Sequence, residues 1–179
     1  MRVISGKFRG IKIPSPKEEI VKPTLDRIKE NIFNIIQFDI ENSEVLDLFC
    51  GSGALGVECL SRFAKDVTFV DNNKQNIEFL KEFLKKLKVE NFSVICADYF
   101  EVLKKSAENE KKYDIIFLDP PYDSNLAEIA IQKIFKFGLL KDNGKIIWEH
   151  ALEHDTSKFV HKIKQSKTYG KIKIDFISL

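Results

Sequence analysis

The residues with the clearest chemistry in this chain are Asp119-Pro120-Pro121-Tyr122, which follow the apolar run 115–118. The two prolines fix φ and lack backbone donors, so the turn is stiff and the Asp119 carboxylate can face one bound amino group. Accepting the N–H bonds of an aromatic amine returns its lone pair to nitrogen, which prepares that nitrogen to attack an electrophile without requiring a raised pKa at Asp119. Tyr122 offers a flat face for stacking a base. The alternative is an ordinary Pro-Pro turn after a strand.

A second motif, Cys50-Gly51-Ser52-Gly53-Ala54-Leu55-Gly56, follows the apolar run 45–49. Glycines there let a ligand approach the backbone, and Asp71 lies about twenty residues beyond the first glycine, where an acid can receive ribose hydroxyls. The same spacing matches the dinucleotide fingerprint, so a nicotinamide oxidoreductase is a competing interpretation. Asp47, just before the loop, favours the ammonium group of an amino acid moiety, because an anion is poorly placed beside a pyrophosphate.

S-adenosylmethionine fits both features of this second motif. Its methionine end can meet Asp47 and the loop, while its ribose meets Asp71. Asp98 follows the apolar run 92–97 and is within reach of an adenine amine in this arrangement. The alternative for Asp98 is a helix N-cap, and the position suits both roles. The sequence therefore predicts an S-adenosylmethionine site.

The elements that must position these groups alternate between strand and helix. Strands are expected near 45–49, 67–70, 92–96, 114–118 and 144–149, and helices near 24–38, 54–64, 73–87, 99–107 and 125–136. Two further strands, from Lys158 to Ile163 and from Lys171 to Ile177, are expected around a turn near Gly170. This alternation predicts an open, doubly wound, mostly parallel seven-stranded α/β sheet with ligand groups at the carboxyl ends of its strands.

Length and composition set the limits of the chain. Its 179 residues are 44% hydrophobic and contain no long Pro/Gly/Ser-rich linker, so we expect one domain, with an N-terminal hairpin and helix extension over 1–40 and a catalytic core over 41–179. No apolar run is long enough to span a bilayer and no signal-peptide core is present, so we expect a cytoplasmic protein. The three cysteines are expected to be buried, and the pair His150 and His154 lacks the further ligands of a metal site.

Basic residues are concentrated at the two ends of the chain, although the formal net charge is only +2. The segment from Met1 to Lys12 carries four basic residues and no acid, and its pattern predicts a hairpin that turns at Ser5-Gly6 or Arg9-Gly10. Such a ribbon can clamp a phosphate backbone, and the alternative is an edge strand protected by its charges. A second basic stretch runs from Lys158 to Lys173.

Four blocks together resemble the RsmD family: the segment 2–10, the segment 22–34, the glycine motif and the Asp-Pro-Pro-Tyr motif. Those bacterial enzymes methylate the N2 amine of one guanine in 16S ribosomal RNA with S-adenosylmethionine. The resemblance implies a Rossmann-like class I methyltransferase fold and, as partner, 16S ribosomal RNA within a small-subunit assembly intermediate. Cys50 stands where the family commonly has a small Ala, and Tyr122 where Phe is frequent.

The resemblance also implies roles for individual residues. The target base is expected at Asp119, Pro120, Pro121 and Tyr122, and the RNA at Arg2, Lys7, Arg9, Arg27 and Asn34. The cofactor is expected at Asp47, Phe49, Cys50, Gly51, Ser52, Gly53, Asp71, Asn72, Asp98, Tyr99 and Asp119. The alternative for 22–34 is an amphipathic helix docked on the core. Adenine N6, a protein glutamine amide, or RNA binding without catalysis remain alternative functions.

Overall fold

The computed structural model describes residues 1–14, 23–121 and 124–179, so Tyr122 and Lys22 lie outside the described residues. The helices are α1 (Pro23–Ile35), α2 (Ala54–Ser61), α3 (Lys74–Lys86), α4 (Tyr99–Glu108) and α5 (Leu126–Lys136). The strands are β1 (Glu44–Leu48), β2 (Asp66–Asp71), β3 (Phe92–Cys96), β4 (Tyr113–Leu118), β5 (Leu140–Ala151), β6 (Ile163–Tyr169) and β7 (Ile172–Ile177). These bounds agree closely with the helices and the first five strands predicted from the sequence.

One seven-stranded sheet has the order β3-β2-β1-β4-β5-β7-β6. The pairs among β1 to β5 are parallel, whereas β7 is antiparallel to both β5 and β6. The predicted doubly wound, mostly parallel sheet is therefore confirmed. An antiparallel strand inserted before β6 distinguishes it from the 3-2-1-4-5-6 order of dinucleotide-binding sheets.

The strand predicted from Lys158 to Ile163 was wrong. Residues Ser157–Phe159 form a 3₁₀ turn, and β6 begins only at Ile163. The Asp155 carboxylate accepts a hydrogen bond from the Ser157 N–H (2.9 Å), and this local bond starts the turn. The turn buries Phe159, whose ring meets Trp148 edge-on at 5.9 Å between centroids. The predicted turn at Gly170 is present, with φ 61°.

The two faces of the sheet carry separate cores because side chains alternate along each strand. On one face, residues of α1, α2 and α3 pack against Val45, Phe69 and Phe117. On the other face, α4 and α5 pack against Leu46, Leu118 and neighbouring strand residues. Gly56 allows α2 to approach the sheet closely, since a Cβ there would lie 2.2 Å from Cε1 of Phe69.

The N-terminal segment is a short hairpin whose tip is bound to α2. An antiparallel bridge joins Arg2 and Lys12, and the two arms exchange further backbone hydrogen bonds of 2.9 Å. Both predicted glycine turns have positive φ (83° at Gly6 and 85° at Gly10). The backbone between them also bonds to α2, where the Lys7 N–H donates to the Ser61 carbonyl (2.8 Å). A Cβ at Gly6 would lie 1.9 Å from that carbonyl oxygen, so a glycine is required for this contact.

A buried acid on α2 holds this segment in place. Glu58, which is fully buried, accepts hydrogen bonds from the backbone N–H groups of Ile4 (2.8 Å) and Ser5 (3.0 Å). It also pairs with Lys29 of α1 (3.1 Å) and Arg62 (2.9 Å). Burial lowers the pKa of Lys29, although the Glu58 carboxylate opposes that effect. We call Glu58, Lys29 and the bonds they make the Glu58 anchor.

Candidate active site

A cavity of about 610 Å³ opens at the carboxyl ends of β1, β2, β3 and β4. After β1 the chain continues on one face of the sheet, and after the neighbouring strand β4 it continues on the other face. Ligands bind in the crevice that such a change of direction leaves at the carboxyl ends of an open α/β sheet. The lining residues share this edge and are Phe49, Val70, Asp71, Asn72, Asn73, Asn76, Ala97, Asp98, Tyr99, Asp119, Pro120, Pro121 and Leu126. We call this the catalytic cavity.

The glycine loop is held to the end of β2 by Asp71. One carboxylate oxygen of Asp71 accepts from the Gly51 N–H (2.8 Å) and the other from the Asn73 N–H (2.7 Å). Gly51 and Gly53 have positive φ (53° and 74°), which glycine adopts at little cost. Asp71 therefore fixes the loop while its half-exposed carboxylate lines the cavity, where each oxygen keeps a second lone pair for a hydroxyl.

Asp47 lies beneath the loop and is buried. Its carboxylate accepts from the Gly56 N–H (2.9 Å) in the first turn of α2. Burial raises the pKa of Asp47 to about 7, the Gly56 hydrogen bond opposes the rise, and the charge of Asp71 adds to it. Among the described residues, Asp47 is not part of the cavity wall, so it shapes the loop from below.

Replacing Asp47 by asparagine is expected to stabilise the protein above neutral pH. Because burial raises the pKa of Asp47, the native state holds a proton that the unfolded chain releases between about pH 4 and pH 7, so stability falls as pH rises through this window. Asparagine keeps an acceptor for Gly56 and removes the buried charge, so the melting temperature should rise by roughly 5 °C at pH 8 and hardly change below about pH 4. Thermal unfolding across pH measures this.

The matched control for this prediction is Asp142→Asn, which makes the same change at an exposed carboxylate far from the loop. It should show no pH-dependent gain. A lower melting temperature of Asp47→Asn than of the native protein at pH 8 would contradict the unfavourable buried charge.

Asp98 is the N-cap of α4, which was one of the two roles predicted for it. Its carboxylate accepts from the Phe100 N–H (2.8 Å), and its exposed side chain also lines the catalytic cavity. Phe49 and Tyr99 lie on the same wall with ring centroids 5.2 Å apart. These two rings and Ala97 provide the flat, apolar surroundings that a purine ring needs beside a polar acceptor.

The Asp119 turn forms the other end of the catalytic cavity. Asp119 opens onto the cavity, Pro120 is buried, and the Pro121 carbonyl accepts from both the N–H (3.2 Å) and the hydroxyl (2.7 Å) of Ser124, which closes the turn. The surrounding protein and the carboxylates of Glu149 and Asp47 raise the pKa of Asp119 well above its usual range. Asp119 remains open to water on the cavity side, so a ligand that fills the cavity would contact its carboxylate directly.

Several predicted cofactor residues support the loop and do not form the cavity wall. Cys50 is buried, and burial raises the pKa of its thiol, so it is an unreactive small side chain. In the described chain, Cys50, Gly51, Ser52 and Gly53 do not line the cavity. The expectation that all three cysteines are buried was wrong for Cys96, which ends β3 and is exposed.

The residues predicted to contact RNA are all exposed and lie outside the catalytic cavity: Arg2, Lys7, Arg9, Arg27 and Asn34. Arg2 and Arg9 share a shallow cavity of about 330 Å³ with Asp26 and Glu30, which reduces their net positive charge. Arg27 is close enough to Tyr169, beside the β6–β7 turn, to affect the pKa of that phenol. Their role in binding RNA stays a prediction.

Sequence reasoning missed several residues around the cavity. Asn73 caps α3 by accepting from the backbone N–H groups of Gln75 and Asn76, and an Asn before a helical pattern is the signal that could have identified it. Glu149 follows Trp148 in the mostly buried strand β5 and is close enough to Asp119 to affect its pKa. An acid in an apolar strand is unusual, so its presence could have indicated a functional role.

No group of three or more His, Cys, Asp or Glu side chains within the described part of the chain could hold a metal ion. His150 bonds Asp175 (3.0 Å) and His154 bonds Glu128 (3.0 Å), so each ring already contacts a carboxylate. No helix among residues 1–14, 23–121 and 124–179 has the length and apolarity needed to cross a membrane.

The strand order and the cavity at the switch point define a Rossmann-like class I methyltransferase fold. A solved chain from Escherichia coli, yhhF, matches with a TM-score of 0.86 and 30% identity over 98% of this chain and 96% of that one. The family described as Conserved hypothetical protein 95 matches residues 1–178, and the chain belongs to this family, the RsmD family that its motifs resemble.

Several curated relatives are named ribosomal RNA small subunit methyltransferase D, including one from Haemophilus influenzae and one from Escherichia coli. The relative from Haemophilus influenzae is 43% identical over 151 residues, covering 83% of this chain and 78% of its own length. The relative from Escherichia coli strain K12 is 34% identical over 154 residues, covering 86% and 76%.

Proposed function

We propose that this protein transfers the methyl group of S-adenosylmethionine to the exocyclic N2 amine of a guanine in 16S ribosomal RNA. The observation that carries the proposal is the meeting of two kinds of group in one cavity. Asp71 and Asp98 can receive the hydroxyls and amine of a nucleoside, and the stiff Asp119-Pro120-Pro121 turn can receive an amino group. A cavity of about 610 Å³ is large enough to bring both ligands into contact.

The residues present fit S-adenosylmethionine. Asp71 would receive the ribose hydroxyls, Asp98 the adenine amine, and Phe49 and Tyr99 the faces of the adenine ring. The glycine loop, which Asp47 supports from below, would receive the methionine end, and the nearby ammonium group would lower the raised pKa of Asp47. When bound, S-adenosylmethionine supplies an electrophilic methyl group on a positively charged sulfur.

Asp119 and its turn would orient the acceptor amine. The Pro120 carbonyl makes no hydrogen bond to any described residue, whereas the Pro121 carbonyl is occupied by Ser124. Asp119 and the Pro120 carbonyl can therefore accept the two N–H bonds of one amine, which directs the nitrogen lone pair toward the reacting carbon. The raised pKa of Asp119 also makes it a better acceptor for the proton that the methylated amine releases.

The proposed partner is RNA of the small ribosomal subunit, in an assembly intermediate in the cytoplasm. The names of the relatives support the small-subunit RNA as substrate. The exposed basic residues of the N-terminal segment support contact with phosphates, and Tyr122, which lies outside the described residues, is proposed to stack on the unpaired base. The proline-flanked carboxylate serves any planar amino group, so the choice of guanine N2 rests on family membership.

The test is methyl transfer to small subunits from cells that lack this activity. Purified protein is incubated with labelled S-adenosylmethionine and these subunits, and the digested RNA is analysed by mass spectrometry. We expect N2-methylguanosine at a single position. Methyladenosine would show that the acceptor is adenine and not guanine, and a labelled protein amide would show that the substrate is a protein. Cofactor binding without transfer to subunits or free RNA would overturn the proposed function.

A further inference from the structure

A second cavity, of about 390 Å³, lies at the amino ends of β1, β2 and β3, on the edge of the sheet opposite the catalytic cavity. Its polar rim includes Lys7, Lys65 and Lys88, and Phe63 projects beside them. Phe8 and Leu60 are among the apolar residues beneath. We call this the distal cavity.

Phe63 is in a position where an aromatic residue is unexpected. It follows α2 with φ 66°, and the Ala64 N–H closes the helix end on the Cys59 carbonyl (3.0 Å). Glycine is favoured at such a helix end because the left-handed conformation crowds a Cβ. The Phe63 side chain is also 59% exposed, so packing compensates little for this strain. The fold alone therefore gives little reason for a phenylalanine here.

Lys88 repeats this arrangement at the end of α3. It has φ 54°, and the Val89 N–H points back to the Leu84 carbonyl (3.5 Å). Glu110 after α4 has the same conformation (φ 53°), so three of the described helices end in this way. The exposed residues after α2 and α3 border the same cavity, which brings an aromatic ring and an ammonium group together. Their shared position, more than the backbone conformation, indicates a binding role.

The charges of the distal cavity favour an anionic ligand. Lys65 pairs with Glu44 (2.9 Å), whereas Lys7 and Lys88 form no ion pair with any described residue. Glu90 is the one acid among the described lining residues. Two free ammonium groups beside an exposed ring provide the combination that binds single-stranded nucleic acid, in which phosphates meet lysines and a base stacks on the aromatic face.

We propose that the distal cavity binds an unpaired segment of the substrate RNA, with one base stacked on Phe63 and phosphates held by Lys7 and Lys88. This inference rests on the proposed function, since the ligand belongs to the same RNA. Strands of five or six residues separate the two cavities by about 17–20 Å. The distal cavity would therefore hold the RNA at a second point and fix its orientation on the catalytic cavity.

Phe63→Gly separates binding from folding. Glycine tolerates the positive φ, so the variant should melt at the same temperature as the native protein or higher. Its affinity for protein-free 16S ribosomal RNA should fall about tenfold, which is the scale of one lost base stack. Phe63→Trp keeps a stacking face and should retain the affinity. Fluorescence anisotropy with labelled RNA measures each variant.

The charge contribution is tested with Lys7→Gln/Lys88→Gln. Removing two phosphate contacts should reduce the slope of log affinity against log salt by about 1.4, the value for two contacts with a single strand. Lys81→Gln, which changes an exposed lysine of α3 outside the distal cavity, is the control and should change the slope by much less than about 0.7, the value for one phosphate contact.

The outcomes distinguish this inference from the proposed function. Methyl transfer by the native protein, together with weaker RNA binding by stable Phe63→Gly, supports both. Native affinity of Phe63→Gly for the RNA overturns the inference alone, and weaker methylation of whole subunits in that case would assign the distal cavity to a protein of the subunit. Absence of both methyl transfer and RNA binding in the native protein overturns both.

Discussion

Asp119→Ala is expected to reduce methyl transfer to small-subunit RNA by about a thousandfold or more, because a directed acceptor at the reacting group is lost. The carboxylate opens onto the catalytic cavity at the end of β4, and the neighbouring Pro120 carbonyl alone cannot hold both N–H bonds of an amine. Binding of S-adenosylmethionine should be nearly unchanged, since Asp71 and Asp98 at the nucleoside end are untouched. Single-turnover transfer and calorimetric cofactor titration measure the two effects.

Two variants sharpen this prediction. Asp119→Asn keeps one acceptor oxygen and should retain more activity than alanine does. Asp142→Asn changes an exposed acid outside the cavity and should transfer at the native rate. Native turnover by Asp119→Ala would refute the assignment of the acceptor amine to this turn. Loss of cofactor binding by the same variant would instead show that Asp119 binds the cofactor.

Glu58→Ala is expected to destabilise the protein by roughly 3–5 kcal/mol, because it leaves the Lys29 ammonium buried without its partner. The backbone N–H groups of Ile4 and Ser5 lose their acceptors as well. The melting temperature should fall by roughly 10 °C, and amide exchange should accelerate first in the N-terminal segment. Thermal unfolding and hydrogen exchange provide the two measurements.

An exposed pair on α3 provides the contrast. Glu78 lies 3.7 Å from Lys74 with both side chains largely in solvent, so Glu78→Ala should cost less than about 0.5 kcal/mol. The double variant Lys29→Met/Glu58→Gln should be less destabilised than the sum of its single variants, because neither charge is left buried alone. Additive effects would mean that the two residues stabilise the fold independently.

The fold could be predicted because its signals are local. Each parallel strand is a short apolar run that ends in a glycine, acid or proline turn. In the helices, apolar residues recur with the helical period. Asp71, Asp98 and Asp119 end successive strands, so a parallel sheet brings them to one edge. Their convergence on one cavity follows from sequence order, whereas their binding roles stay predictions until tested.

Contacts between distant segments could not be predicted in this way. Glu58 lies in an otherwise apolar stretch of α2, and nothing nearby shows that its partners are Ile4, Ser5 and Lys29. The hairpin of the basic ribbon was predicted from its own alternation, but nothing in that pattern shows that its tip bonds to α2. A local pattern indicates which strands can form and leaves open which distant element they contact.

The Glu58 anchor also limits how early the N-terminal segment can fold during synthesis of the chain. The backbone N–H groups of Ile4 and Ser5 cannot bond to Glu58 until it has been synthesised, 54 and 53 positions later in the chain. At the usual rate of translation this interval is about 3–10 s. Val3 and Phe8, both buried in the finished protein, stay exposed on the nascent chain for that time. Residues 3–8 are therefore among those that fold late, and they form a segment that a chaperone would meet unfolded.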